Sequence, residues 1–285
     1  MRIACVQSNV VFADVLANVA AAARRLEDLA AKSVDLAVFP EAFLTGYCVE
    51  STADAQRIAT NRTALNPLRE ACDRLRISAI LGFAERDGDA IHNSAALIEP
   101  NRPLQVYRKV HLPELGLDKF VSAGDELAVF DTAHGRIGIL ICFDLRVPEA
   151  ARVLALKGAE LIVLPTNWPE GAETSAEHVA IARAAENRVF VATCNRVGKE
   201  NGFKFIGRSK IVSPGGQIIA EAASGEEVII ADIDMGEARI KRNVMIPGRY
   251  ETTTFDCRRP ELYGEIASTG DREEEFVAPA APLWV

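Results

Sequence analysis

Three residues whose side chains can do covalent chemistry directly follow strands that the sequence predicts to be buried. One is a carboxylate, one an ammonium and one a thiol, and all three follow the end of a strand. In an α/β sheet, ligands collect outside the carboxyl ends of the strands, so side chains at these positions can meet. They are Glu41 after a strand over 36–39, Lys109 after a strand over 104–107, and Cys142 after an apolar run over 138–141.

The chemistry of the three groups is complementary. A thiol attacks a carbonyl as thiolate, and a nearby carboxylate can take its proton. An ammonium stabilises the oxyanion of a tetrahedral intermediate. The carboxylate can then return the proton to a leaving amine. The set predicts acyl transfer from an amide-like bond through a thioester.

The elements that must position these side chains form an α/β pattern. Short apolar runs without polar alternation predict strands covered on both faces, and helical periods lie between them. Asp14 is the expected N-cap of the first helix, and Pro148 begins a helix over 148–157. Thr174 and Glu177 have the spacing of a capping box for a helix over 174–187. The alternation predicts an α/β fold in a single domain.

Two stretches lie outside this pattern. Residues 108–126 carry Pro113, Gly116 and Gly124 without a clear period, and a loop this long in a compact domain is often functional. Residues 243–285 are irregular, and residues 251–285 are expected to form either a solvated C-terminal tail or an arm that packs on a neighbouring subunit. The expected catalytic domain therefore spans residues 1–250.

Composition excludes several classes of protein. The chain has 285 residues, 49% hydrophobic and 25% charged, with a net charge of −8. This acidic balance argues against a nucleic-acid partner and against a polybasic membrane anchor. No apolar run is long enough to span a bilayer.

The cysteines and histidines lack the spacing of metal sites. The six cysteines include no CxxC pair, and the four histidines are far apart, so no metal is expected. No GxGxxG or P-loop motif occurs, so no nucleotide cofactor is expected either. Reduced thiols in a cytoplasmic compartment fit a chain that is large enough to be stable without disulfides. His111 lies two residues after Lys109, which leaves a Cys142–His111 dyad as a minor alternative.

The sequence around the three residues resembles that of the nitrilase superfamily of carbon–nitrogen hydrolases. Its glutamate, lysine and cysteine motifs occur in the family's order and spacing, and shorter matches accompany them. The three are Pro40-Glu41-Ala42-Phe43-Leu44-Thr45-Gly46-Tyr47, Tyr107-Arg108-Lys109-Val110-His111-Leu112-Pro113, and residues 135–149, which contain Cys142-Phe143-Asp144-Leu145-Arg146. The shorter matches are His92-Asn93-Ser94-Ala95, Pro165-Thr166-Asn167-Trp168-Pro169, Arg183-Ala184-Ala185-Glu186-Asn187 and Asn195-Arg196-Val197-Gly198.

The resemblance implies a four-layer α-β-β-α sandwich that forms a homodimer or a higher homo-oligomer. It also implies that Glu41 is the general base, Cys142 the nucleophile and Lys109 the oxyanion-stabilising cation. The backbone N–H of Phe143 would be the second oxyanion donor. Tyr47 and Trp168 follow motif residues and would line the acyl pocket.

Many members of the superfamily carry a second glutamate in the loop after the lysine. No glutamate occupies that position here when counted back from Gly124. Asp118 falls one residue from it and is the preferred candidate, with Glu114 as the alternative. A shorter carboxylate would need a shifted loop to reach the lysine.

The residues after the cysteine distinguish the branches of the superfamily. Cys142-Phe143-Asp144-Leu145-Arg146 is similar to the amidase-like branches, whereas nitrilases proper usually have Cys-Trp-Glu. The expected substrate is a small linear amide, with release of ammonia or an amine. The alternatives are an N-carbamoyl amine or amino acid, acyl transfer to an acceptor other than water, and a non-catalytic oligomeric interaction protein.

Overall fold

The computed structural model describes residues 1–268 and shows alternating strands and helices. The helices are α1 (Val15–Ala30), α2 (Thr52–Ile58), α3 (Asn66–Leu75), α4 (Pro148–Leu156), α5 (Ala180–Asn187) and α6 (Gly264–Ala267). The first eight strands are β1 (Arg2–Gln7), β2 (Leu36–Val38), β3 (Ser78–Asp87), β4 (Ala90–Ile98), β5 (Gln105–Arg108), β6 (Val129–Thr132), β7 (Gly135–Ile139) and β8 (Leu161–Thr166). The others are β9 (Phe190–Asn195), β10 (Val197–Glu200), β11 (Phe203–Ile206), β12 (Lys210–Val212), β13 (Ile218–Glu221), β14 (Glu227–Asp232), β15 (Asn243–Ile246) and β16 (Tyr250–Thr252).

Two six-stranded sheets form the centre of the first compact unit, which spans Met1–Ile240. One sheet has the order β14-β1-β2-β3-β4-β5 and the other β13-β12-β9-β8-β7-β6. In the first sheet β2 and β3 are parallel, while β4 is antiparallel to both of its neighbours. Two antiparallel steps restore the direction, so β5 runs the same way as β2 and the two strands end at the same edge.

Each sheet has helices on its outer face. Leu26 and Leu29 of α1 and Leu68 of α3 are buried in one cluster with side chains of the first sheet. On the second sheet, Leu154 of α4 packs directly on Gly138 of β7, and α5 packs on β9. Apolar faces of these helices leave water on packing, which stabilises the layers.

The inner faces of the two sheets pack on each other. β1 packs on β9 and β3 on β8, and the Cys194 thiol on β9 donates a hydrogen bond to the Val38 carbonyl on β2 at 3.1 Å. The layers are therefore helix, sheet, sheet, helix, and the predicted four-layer α-β-β-α sandwich is confirmed.

A second unit begins at Lys241. It contains the antiparallel hairpin β15–β16, whose apolar side chains Val244, Met245, Ile246 and Tyr250 are exposed. The arm predicted for residues 251–285 stays a prediction, and residues 269–285 lie outside the described residues.

The helix starts agree with the sequence in two places and differ in one. Asp14 accepts a hydrogen bond from the Ala17 N–H as N-cap of α1, and α4 begins at Pro148. The capping box predicted at Thr174 is wrong. Thr174 makes no side-chain cap, the first turn over Ser175–Val179 is a π-helix, and Glu177 instead pairs with Arg208. An ion pair with a distant segment thus replaces the local cap.

Candidate active site

Glu41 lies on a tight turn that begins where β2 ends. Ala42, the next residue, has a left-handed backbone with φ of 47°, a strained conformation that is frequent at functional sites. The turn packs closely on β3 at Gly82, where a Cβ atom would lie 2.3 Å from the Ala42 nitrogen and 2.7 Å from the Glu41 Cα. Glycine at this position therefore lets the turn place the Glu41 side chain in the interior.

Lys109 follows β5 directly and is held by its neighbour β4. Its backbone N–H donates to the Asn93 carbonyl at 2.8 Å, continuing the β4–β5 register. Its ammonium donates to Glu41 Oε1 at 3.0 Å and to Asp118 Oδ2 at 2.6 Å. All three side chains are fully buried, so these contacts are charge-assisted hydrogen bonds without competition from bulk water.

A 3-10 turn over Gly116–Phe120 brings Asp118 to the lysine. Gly116, with φ of 51°, lies against the ring of Tyr47, and the Leu117 N–H donates to the Tyr47 carbonyl at 2.9 Å. The Tyr47 hydroxyl lies 2.8 Å from Asp118 Oδ2. The turn thus brings the Asp118 carboxylate into contact with both Tyr47 and the Lys109 ammonium.

Cys142 begins a short 3-10 helix over Cys142–Arg146 at the end of β7. Its φ of 46° makes a sharp strand-to-helix turn, and the residue as a whole is partly exposed. Burial and the Glu41 carboxylate raise the pKa of its thiol to about 12, against the opposing effect of Lys109. Like Lys109, the Asn167 backbone N–H and the Thr166 hydroxyl lower the pKa of the thiol and so favour the thiolate. The Thr166 hydroxyl is near the sulfur but does not meet the geometry of a hydrogen bond.

The charges of the cluster decide which group carries the proton. Burial raises the pKa of Glu41, Lys109 lowers it and Asp118 raises it again, with a net upward shift. Burial alone would lower the pKa of Lys109, but Glu41 and Asp118 outweigh that effect and raise it. The resting site thus has a protonated lysine, a neutral thiol and a carboxylate with increased proton affinity. Such a carboxylate is suited to take the thiol proton during attack.

Asp144 connects the cysteine turn to the lysine strand. Its buried carboxylate accepts hydrogen bonds from the Ile141 N–H at 2.9 Å and the Tyr107 hydroxyl at 2.7 Å. It also accepts from the His111 backbone N–H at 3.0 Å and lies 2.8 Å from His111 Nδ1. His111 is therefore bonded to Asp144 through Nδ1. A histidine held in this way keeps Nε2 available as a base, so the Cys142–His111 dyad stays an alternative.

The other predicted residues differ in how they relate to the cluster. Glu114 is 91% exposed and lies 4.0 Å from Lys119, so the structure does not bring it to Lys109. Phe143 is the second residue of the 3-10 helix that begins at Cys142, where backbone N–H groups point away from the helix. Trp168 is buried two residues after β8, and Tyr47 contacts Asp118 directly.

Asn93 and Asn167 lie in two of the shorter motif matches, but the sequence alone gives neither residue a role. The Asn93 amide donates to Glu41 Oε1 and Asp118 Oδ1, both at 2.8 Å, and so bridges the two carboxylates. Asn167 follows β8 beside the cysteine. The signal that could have identified Asn93 is the β4–β5 register, which sets it opposite Lys109. Chain spacing alone does not determine that register.

Two kinds of feature are absent from the described residues 1–268. They contain no group of three or more histidine, cysteine or acidic side chains placed to hold a metal ion. Within the same range, no helix is both long and apolar enough to cross a bilayer.

Comparison with known proteins identifies the family of this chain. The profile described as "Carbon-nitrogen hydrolase" matches residues 2–243. The chain belongs to the carbon–nitrogen hydrolase family. It is 36% identical over 249 residues to a "Nitrilase" of Pyrococcus abyssi, covering 85% of this chain and 93% of that protein. It is also 32% identical over 253 residues to an "(R)-stereoselective amidase" of Pseudomonas sp, covering 88% and 89%.

The fold of this family member is shared with solved structures. A mutant of the Nesterenkonia AN1 amidase from the nitrilase superfamily superposes with a TM-score of 0.80 at 23% identity, covering 93% of this chain and 97% of that one. At this identity the likeness shows the fold alone. Together with the family match, it confirms the predicted membership of the nitrilase superfamily.

Proposed function

We propose that the protein hydrolyses a small linear amide through a thioester on Cys142 and releases ammonia or a small amine. The observation that carries the proposal is the Lys109 ammonium, buried between Glu41 and Asp118 and interacting electrostatically with Cys142. This arrangement supplies a nucleophile, a base and a cation at one point. The amidase among the relatives supports an amide substrate.

In the first half-reaction Glu41 takes the Cys142 proton as the sulfur attacks the carbonyl carbon. The oxyanion that forms is stabilised by the Lys109 ammonium and the Phe143 N–H, and one such donor is typically worth roughly 10²–10³ in rate. Glu41 then gives its proton to the nitrogen, the carbon–nitrogen bond breaks, and the amine leaves. The product is the thioester.

In the second half-reaction Glu41 takes a proton from water as the water oxygen attacks the thioester. The same donors hold the second oxyanion. The carbon–sulfur bond breaks, the sulfur regains the proton from Glu41, and the carboxylic acid leaves. Asp118 keeps Lys109 charged and oriented throughout, and Tyr47 and Trp168 bound the acyl group.

The test is ammonia release from small amides, nitriles and N-carbamoyl amines, with hydroxylamine added to capture the thioester as a hydroxamate. We expect release from amides, hydroxamate formation, and loss of both in Cys142→Ala. The matched control is Cys257→Ala, which removes an exposed thiol from the second unit and should retain full activity. Ammonia release that survives in Cys142→Ala would disprove the mechanism.

We also propose that the protein is a cytoplasmic homo-oligomer, a dimer or larger. The six cysteines are all unpaired, which fits a reducing compartment. The exposed apolar side chains of the β15–β16 hairpin are suited to an interface with a second copy. Light scattering after size exclusion tests this part, and a monomer at micromolar concentration would contradict it.

A further inference from the structure

Asn167 is a buried polar side chain whose hydrogen-bonding groups have no protein partner in residues 1–268. The residue is 2% exposed, and neither Oδ1 nor Nδ2 makes a hydrogen bond there. A buried amide without partners is costly, so native proteins rarely leave both of its ends unpaired. Such a residue calls for an explanation outside the fold.

The neighbouring Asn195 shows the contrast. Its Oδ1 accepts from the Trp168 N–H at 2.8 Å, and its Nδ2 donates to the Gly207 carbonyl at 2.7 Å. These bonds, with that of the Ile206 N–H to the Trp168 carbonyl at 3.1 Å, fix the chain just after Asn167. The Asn167 backbone is thus held in place by other residues, and its own side chain is not needed for that purpose.

Asn167 also lies beside the nucleophile. Its backbone N–H faces the Cys142 sulfur and favours the thiolate. The side-chain amide is only a few bonds from that N–H, so it lies within reach of an acyl group attached to the sulfur.

The other polar parts of an amide substrate already have partners. In the proposed function the oxyanion accepts hydrogen bonds from Lys109 and the Phe143 N–H. The leaving nitrogen can contact Glu41 Oε2, which is also buried and has no hydrogen-bond partner among the described residues 1–268. The acyl part of the substrate is the remaining part that the Asn167 amide can contact.

We propose that Asn167 is a specificity-determining residue that hydrogen-bonds a polar substituent on the α or β carbon of the acyl group. Because the amide offers both donors and an acceptor, the substituent is one that donates and accepts, such as a hydroxyl. The inference rests on the proposed amide hydrolysis and narrows it to acyl groups of this class. An acyl chain with a methyl group at that position would leave the asparagine unpaired in the bound state.

The test compares kcat/KM for two isosteric pairs of amides. The α pair is 2-hydroxypropanamide, each enantiomer, with 2-methylpropanamide, and the β pair is 3-hydroxybutanamide with 3-methylbutanamide. We expect the wild type to prefer the hydroxyl member of at least one pair by roughly 5- to 150-fold, the range for leaving one buried polar group unpaired. In Asn167→Leu that ratio should fall to about one, because the loss affects the hydroxyl substrate selectively.

Two further variants make the comparison decisive. Thr166→Val removes the hydroxyl beside the sulfur, so it should slow both members equally and leave the ratio unchanged. Asn167→Ala adds no bulk and gives the same ratio test if the leucine variant does not fold.

The outcomes separate the two proposals. A wild type that releases ammonia from none of these amides contradicts the proposed function itself. An active wild type without a hydroxyl preference in either pair, or with a preference that survives in Asn167→Leu or Asn167→Ala, overturns the inference alone. A ratio that falls as far in Thr166→Val as in Asn167→Leu overturns it too.

Discussion

At the scale of residues, the candidate site is a small charge cluster whose balance depends on Asp118. Glu41 and Asp118 place two carboxylates on one ammonium, Lys109, in a buried environment. Because like charges disfavour each other, Asp118 raises the pKa of Glu41 and so strengthens it as a base. The shorter carboxylate therefore has both an orienting and an electrostatic effect.

Asp118→Asn should lower kcat and shift the pH profile. The raised pKa of Glu41 means that activity is lost as pH falls through that value, since a protonated Glu41 cannot accept the thiol proton. Without the Asp118 charge that pKa falls, so the acid limb of kcat/KM should move to lower pH. The orienting loss at Lys109 should reduce kcat roughly 10- to 100-fold.

Glu114→Gln is the matched control for that variant. Its side chain is exposed, so kcat and the acid limb should stay within about twofold of the wild type. An acid limb that moves in Glu114→Gln and not in Asp118→Asn would assign the second carboxylate to Glu114 instead.

At the scale of elements, buried carboxylates tie together the segments that carry the reactive groups. Asp144 connects the end of β7 to the segment after β5, as the contacts to Ile141, Tyr107 and His111 show. A carboxylate in this place accepts hydrogen bonds through both of its oxygens, whereas an amide accepts through one oxygen and donates from its NH₂ group.

Asp144→Asn should therefore destabilise the fold as well as slow the reaction. Its NH₂ group would face at least one donor, so the free energy of unfolding should fall by about 2–4 kcal/mol. Tyr107→Phe removes only one of the bonds and should cost about 1 kcal/mol. Urea unfolding measures the free energy of unfolding of both variants. A value for Asp144→Asn equal to that for Tyr107→Phe would show that Asp144 is not the connecting group.

Glu85 makes the first sheet sensitive to acid. Burial would raise the pKa of this carboxylate, but hydrogen bonds from Arg108, Ser94 and Arg62 lower it to about 2. A lowered pKa means that the unfolded chain binds more protons between about 4.5 and 2, so stability is present above that range and is lost as pH falls through it.

Glu85→Gln should lower the free energy of unfolding near neutral pH by about 1–3 kcal/mol and weaken its loss on acidification. Denaturant titrations between pH 3 and 7 measure both effects. Asp87→Asn is the matched control, because Asp87 is an exposed partner of the same Arg108 and should change stability by about 0.5 kcal/mol or less. An unchanged acid response in Glu85→Gln would contradict the assignment.

At the scale of the molecule, the sandwich protects most of its thiols. Cys5, Cys48, Cys72 and Cys194 are buried, Cys142 is partly exposed and Cys257 is exposed. Buried groups react only when the structure opens, and opening the core requires a large part of the global unfolding free energy.

Iodoacetamide should therefore label only Cys142 and Cys257 in the native protein, and all six cysteines in denaturant. A saturating amide substrate should slow labelling at Cys142 and leave Cys257 as the internal reference. Peptide mass mapping over time gives the rates. Native labelling of Cys5 or Cys194 as fast as that of Cys142 would contradict the described packing.

The sequence by itself determined the α/β alternation and, to within two residues, where the strands before the candidate side chains Glu41, Lys109 and Cys142 end, while the four layers were implied by the family resemblance. These features are local, because apolar runs predict strands and a residue that follows a strand is identified by chain order alone. The preference for Asp118 over Glu114 came from the resemblance, because the count back from Gly124 used the family's usual position of the second glutamate. Local patterns failed at Thr174, where Glu177 pairs with the distant Arg208.

Only the tertiary structure decided which side chains meet. Asn93 lies on a strand of the first sheet and Glu41 and Lys109 follow strands of it, whereas Cys142 and Asn167 follow strands of the second. Their proximity depends on strand register and on the packing of the sheets, which arise from contacts between segments far apart in the chain. For the same reason the roles of Asn93 and Asp144, and the unpaired amide of Asn167, were not evident from residue spacing.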